Sequence, residues 1–97
     1  MDIVVESTGF FESYEKAKGH LDGGAKRVVI SAPAKGEGEG GLGQTVLMGI
    51  NEEKLKTCQI SSNASCTTNA GSPVIQILEE ALGIEKAILN TVHAYTA

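Results

Sequence analysis

Within its first thirty or so residues the chain runs strand, helix, strand, and no other feature narrows the fold as much. "DIVVE" (Asp2 to Glu6) is a short apolar run closed by "STGFF", which predicts a buried strand ending in a turn at Gly9. "ESYEKAKGHL" (Glu12 to Leu21) is dominated by helix formers, and "DGG" supplies the stop. "KRVVIS" then returns to β-branched residues before Pro33. Such a βαβ unit implies parallel strands, with ligands gathering beyond their C-terminal ends. The residues at those ends are Ser7, Thr8 and Gly9 after the first strand and Ser31, Ala32 and Pro33 after the second. Both groups are candidate ligand loops.

Further along, "KGEGEGGLGQ" (Lys35 to Gln44) cannot bury a core and reads as a surface loop. A phosphate cradle there is disfavoured, since the G-x-x-x-x-G-K-[ST] order is missing and the glutamates repel phosphate. "TVLMGI" predicts a strand, "NEEKL" a helical turn, and "TCQISS" a strand carrying Cys58 as a half-buried packing residue. Apolar residues at 74, 75, 77, 78, 81 and 82 mark a helix face, and Gly83 is a natural stop. Proline lacks the N–H for an interior helical bond, so local rules start this helix at Ser72, beside Pro73. A start near Cys66 requires the first turns to absorb the proline. "KAILNTVHAYT" predicts a closing strand that rises to His93, and no internal repeat is visible.

The 97 residues are 41% hydrophobic and 21% charged, which allows at most one small domain. Eight Lys and Arg against twelve Asp and Glu give a net charge of −4, with the positive charges dispersed, so neither nucleic acid nor a membrane surface is an expected partner. The apolar runs are far too short for a membrane span, and the N-terminus lacks the charged-then-apolar order of a signal peptide. A cytoplasmic protein is the default expectation. Cys58 and Cys66 lie eight positions apart without a C-x-x-C pair or a second ligand cluster, so no disulfide framework and no metal site is expected.

The setting of Cys66 is the chemical signal. It stands in "SSNASCTTNAGSP" (Ser61 to Pro73), among hydroxyls and amides just ahead of the amphipathic run. A structural thiol packs as a small hydrophobe and gains little from polar neighbours. A thiolate, by contrast, is stabilised by the positive end of a helix and by free backbone N–H groups, so Cys66 is expected at or just before a helix N-terminus. Taken alone, Cys66 fits an idle exposed thiol as well as a nucleophile. His93, 27 positions on and separated from it by one helix and one strand, supplies the imidazole that an activated thiol needs. His20 reads as an exposed residue of the first helix without a role.

"SNASCTTN" (Ser62 to Asn69) followed by "TVHAYT" (Thr91 to Thr96) resembles the active-site pair of the glyceraldehyde-3-phosphate dehydrogenase family. "ESTGFF", "GAKRVVISAPAK" and "GIEKAILNTVHAYTA" resemble the same family in the same order, so the likeness covers nearly the whole chain. The resemblance implies Cys66 as the nucleophile that attacks the aldehyde of glyceraldehyde 3-phosphate, and His93 as the group that raises its thiolate character and assists the proton and hydride steps. It implies Ser65 and Thr67 at the attacking inorganic phosphate, Thr96 at the substrate phosphate, and Ser7, Thr8, Gly9, Phe10 and Ser31 at an NAD or NADP cofactor. The full-length protein is then expected to be a homotetramer.

The fold implied is α/β: residues 1–65 as the C-terminal half of a Rossmann-type dinucleotide-binding domain, and 66–97 as the first helix and strand of an α+β catalytic domain. The family usually carries a second cysteine four residues after the nucleophile, where this chain has Ala70, and the loop after Lys35 is a few residues longer than usual. With no G-x-G-x-x-G and no first βαβ half, the chain is expected to be an internal piece of a larger enzyme. An erythrose-4-phosphate dehydrogenase is the nearest alternative, which "HAYT" and "ESTGFF" disfavour. An inactive remnant or a binding module is the alternative of another class.

Overall fold

A computed structural model describes residues 1–36 and 42–95. Four strands and two helices follow the chain: β1 (Ile3–Glu6), α1 (Tyr14–Asp22), β2 (Arg27–Ile30), β3 (Gly43–Thr45), β4 (Ile60–Ser62) and α2 (Cys66–Leu82), with a 3₁₀ turn over Glu52–Lys56 before β4. The strands form one sheet in the order β1-β2-β4-β3, and every pairing is parallel. The α/β, parallel-sheet reading therefore holds. Most of the glycine and glutamate tract, residues 37–41, lies outside the described residues.

Register explains which side chains are buried. Val4 pairs with Val28, Glu6 with Ile30, Val28 with Ile60 and Ile30 with Ser62. Paired residues of a pleated sheet share a face, so these six line one side. α1 covers that side: Tyr14 and Ala17 pack with Val28, Ile30 and Ile60 as the buried core. The helix is capped as its composition suggests, with the Ser13 hydroxyl accepting from the Lys16 N–H at 3.2 Å. The opposite face carries Ile3 and Val5, which stay exposed. "DIVVE" was expected to be buried throughout; as an edge strand with one uncovered face, β1 buries only Glu6 completely.

Four further expectations shift. Cys58 lies just ahead of β4 rather than on it, and is buried rather than half-buried. The strand expected in "TVLMGI" lies earlier, at Gly43–Thr45. Asn51 ends it, because its side chain accepts from the Leu47 N–H at 2.7 Å and donates to the Thr45 carbonyl at 3.0 Å, taking backbone groups that a longer strand would use. α2 starts at Cys66 rather than Ser72, with Pro73 inside it. A helix-interior proline costs about 3 kcal/mol, and the first turns carry compensating bonds described below. Residues 86–95 form no strand, because an extended segment becomes one only with a hydrogen-bonding neighbour. The apolar face of α2 is also largely uncovered among the described residues: Val74, Ile77 and Leu82 are all more than half exposed.

Gly43 marks where α1 and the sheet meet most closely, since a Cβ at that position would stand inside the Tyr14 ring. Tyr14 is buried, and its hydroxyl lies 3.2 Å from the Thr45 hydroxyl, so the ring has little room to retreat. Gly43→Ala is expected to destabilise the chain by about 1–3 kcal/mol, the usual cost of overpacking. Urea unfolding followed by circular dichroism reads this; an unchanged midpoint would mean that α1 is loosely seated.

Candidate active site

The strands end together. Glu6, Ile30, Ser62 and Thr45 stand level across the sheet, and each pairing continues one hydrogen bond further: Ser31 N–H to Glu6, Asn63 N–H to Ile30, and Val46 N–H to Ser62. The loops that leave these ends thus share one edge. Ser7, Thr8, Gly9, Phe10 and Ser31 are all exposed on it. Gly9 takes a positive φ of 80° with nothing near the place a Cβ would occupy, and Phe10 is 78% exposed. Thr8 is spent within its own loop: its N–H and hydroxyl both donate to the Glu6 carboxylate, and its hydroxyl accepts from the Phe10 N–H.

From the end of β4 the chain passes through Asn63 and Ala64 and begins α2 at Cys66, the nucleophile expected from the sequence. Ser65 caps the helix, its hydroxyl accepting from the Thr68 N–H at 3.1 Å and bonding the Thr68 hydroxyl at 2.8 Å. The Asn69 side chain donates to the carbonyls of Asn63 at 2.7 Å and Ser65 at 2.8 Å, tying the first turn to the loop before it. These bonds hold a start seven positions ahead of the proline. Cys66 is exposed and free.

His93 returns to this point. Its Nε2 lies 3.7 Å from the Cys66 Sγ, and its Nδ1 lies 2.6 Å from the Ala94 carbonyl. A carbonyl can only accept, so Nδ1 carries the proton, and in the neutral ring Nε2 is then the acceptor facing the thiol. The hydrogen bond with His93 holds the Cys66 thiol below its ordinary range, with the Thr67 hydroxyl and N–H acting in the same direction. The His93 ring is raised from its ordinary value, first by the Ala94 carbonyl and then by the sulfur. Both shifts favour the thiolate–imidazolium pair. Thr67 Oγ1 is 4.0 Å from the sulfur, while Thr96 lies outside the described residues. An open groove of about 570 Å³ runs beside the pair, lined by Gly71, Val74, Ile75 and Leu89 among others.

The family model described as the glyceraldehyde 3-phosphate dehydrogenase C-terminal domain matches residues 65–97. The chain is 50% identical over 97 residues to a glyceraldehyde-3-phosphate dehydrogenase of Mycobacterium tuberculosis (strain ATCC 25618 / H37Rv), a match covering 99% of this chain. It is 48% identical over 98 residues to glyceraldehyde-3-phosphate dehydrogenase 2 of Bacillus subtilis (strain 168), and 50% identical over 97 residues to the Xanthobacter flavus enzyme. The chain belongs to the glyceraldehyde-3-phosphate dehydrogenase family. It spans 27% of the length of the mycobacterial and Bacillus relatives and 28% of the Xanthobacter one.

This member of the dehydrogenase family also carries a cluster that local sequence rules passed over. His20 is not an idle surface residue: it is half-buried, and its Nε2 lies 2.6 Å from the Glu6 carboxylate. Phe11 packs edge-on against its ring. The Thr8 hydroxyl, the His20 ring and the Thr8 N–H, in that order, lower Glu6 to about 2. No local signal pairs positions 6 and 20, because the contact exists only once α1 lies over the sheet.

Two outcomes follow from these shifts. Alkylation of Cys66 by iodoacetamide should show a pH midpoint below the ordinary thiol range, and His93→Ala should move it back up. Coincident profiles in the two proteins would remove His93 from thiol activation. For Glu6, depression in the folded state means that its ionised form contributes stability fully above about pH 4.5, and that this is lost as pH falls toward about 2. Denaturation midpoints measured across that window should fall in the parent chain and flatten in Glu6→Gln.

Proposed function

We propose that this chain carries the thiol end of a phosphorylating glyceraldehyde-3-phosphate dehydrogenase, which converts glyceraldehyde 3-phosphate and inorganic phosphate to 1,3-bisphosphoglycerate in glycolysis. The reading rests on one observation above all: a thiol on the first residue of a helix, 3.7 Å from an imidazole nitrogen whose tautomer is set by a backbone carbonyl.

In this reading the Cys66 proton passes to His93 Nε2 and the sulfur attacks the aldehyde carbon, so that an S–C bond forms as the carbonyl π bond opens to an alkoxide. N–H groups in the first turn of α2 have no helical carbonyl partner and are available to that oxyanion; removing such a donor costs about a hundredfold or more in rate. His93 returns its proton to the alkoxide. A bound NAD or NADP would supply the hydride acceptor that oxidation of the hemithioacetal to a Cys66 thioester requires. His93 Nε2 is placed to take the hydroxyl proton. Phosphate, held by Thr67 and the Ser65 segment, then attacks the thioester carbonyl and releases the Cys66 thiolate. Thr96 is assigned to the substrate phosphate.

The strand-end loops suit a dinucleotide, with exposed hydroxyls on Ser7 and Ser31, an exposed ring at Phe10 and open space over Gly9. Ser7, Gly9, Phe10 and Ser31 would hold it directly, and Thr8, bonded to Glu6, would hold their loop in shape. Two free thiols suit a reducing compartment, which supports reading the protein as cytoplasmic.

The acyl-transfer half needs no dinucleotide, which makes it the direct test. Incubated with acetyl phosphate near neutral pH, the 97-residue chain should gain one acetyl group on Cys66 and none on Cys58, and His93→Ala should slow the gain by about a hundredfold, the lower end for a general acid–base group. Exchanging the matched segment of the Bacillus subtilis relative for this chain should leave NADH formation that Cys66→Ala abolishes. Acetylation indifferent to His93, or turnover that survives Cys66→Ala, would overturn the assignment.

A further inference from the structure

The turn between β4 and Cys66 contains the one non-glycine residue with positive φ among the described residues: Ala64, at 59°. An L-residue visits this left-handed region at a cost, and such a conformation persists only where the surroundings hold it. The neighbouring side chain that does so is Ser62. Its hydroxyl accepts from the Ala64 N–H at 3.1 Å and from the Ala34 N–H at 3.2 Å, and donates to the Ala32 carbonyl at 2.7 Å. Those three bonds use one donor and two acceptors, the full capacity of a hydroxyl. Ser62 is 1% exposed, and its bonds tie two loops together: the one that leaves β2 and the one that delivers the nucleophile.

We propose that Ser62 is a positioning residue for Cys66: by pinning Ala64 in its left-handed conformation and anchoring that turn to the Ala32–Ala34 backbone, it sets where α2 begins and brings the sulfur to His93. This rests on the reading of Cys66 and His93 as the reactive pair. Ser62 touches neither of them, so it acts only through the path of the backbone. Ala64 precedes the Ser65 cap, and any other φ there redirects the chain before its first helical residue. His93 is the ionisable group that bears on Cys66 among the described residues, so a displaced sulfur loses the partner that favours its thiolate.

The 97-residue chain contains its own control. Cys58 is buried and reports opening of the sheet, whereas Cys66 is exposed and reports its ionisation rather than its access. Alkylation by iodoacetamide is followed at each cysteine separately by peptide mass spectrometry across pH, in the parent chain, Ser62→Ala, and Ser62→Ala combined with Ala64→Gly. The single variant should react at Cys66 about tenfold more slowly near pH 7, which is what a midpoint raised by about one pH unit gives, while Cys58 stays protected. Glycine enters the left-handed region freely, so the double variant should recover a large part of the loss.

A Cys66 profile unchanged in Ser62→Ala overturns the proposal. So does exposure of Cys58 in both variants, which would make Ser62 a general stabiliser of the sheet. Failure of the underlying reading shows separately, in a parent chain whose Cys66 titrates like an ordinary thiol; the proposal then falls with it.

Discussion

The level register of the parallel strands is the constraint on which everything else depends. Because Glu6, Ile30, Ser62 and Thr45 end in line, four loops leave the sheet at one edge instead of being scattered along it. The same register puts Glu6, Ile30 and Ser62 on the face that α1 covers, so Glu6 and Ser62 are buried where their loops begin. A buried polar group has to be hydrogen-bonded, and the partners available at a strand end are loop backbone groups. Glu6 therefore collects Thr8 and His20, and Ser62 collects Ala32, Ala34 and Ala64. Burial of two polar residues in this way becomes the ordering of the loops beside them.

Two histidine contacts in the chain differ instructively. His20 meets a buried carboxylate, where the low-dielectric surroundings make the pairing strong and the groups are fixed in place. His93 meets an exposed thiol, and solvent surrounds both. The first contact suits a structural pin, the second the reactive pair proposed above. What keeps the second in one arrangement is bonding to the backbone nearby: the Ala94 carbonyl fixes the ring tautomer, and the Ser65 hydroxyl and Asn69 amide, bonded to main-chain groups, fix the helix end that bears the sulfur.

Much of this was readable without coordinates. The order of apolar runs and breakers specified a βαβ unit and hence parallel strands, since strand pairing direction follows from a helical crossover. The polar setting of Cys66 specified a helix N-terminus, and the octet around it with the downstream His93 specified the family. The helix start was legible only in part: the proline rule pointed to Ser72, whereas Ser65 and Asn69 make bonds that outweigh it. Local propensity cannot rank a proline penalty against side-chain bonds whose geometry exists only after folding.

What the sequence determined by itself was identity and order: which segments pair or coil, which thiol differs from the other, and which family they belong to. Tertiary structure alone decided proximity. Positions 6 and 20, and 62 with 32 and 34, lie far apart in sequence and on different elements, so no pattern along the chain announces them. The closing segment makes the same point, since "KAILNTVHAYT" has the composition of a strand but forms none over residues 86–95. Composition describes what a residue prefers, whereas a strand, an ion pair or an activated thiol requires a particular partner, and only the folded chain brings one within hydrogen-bonding distance.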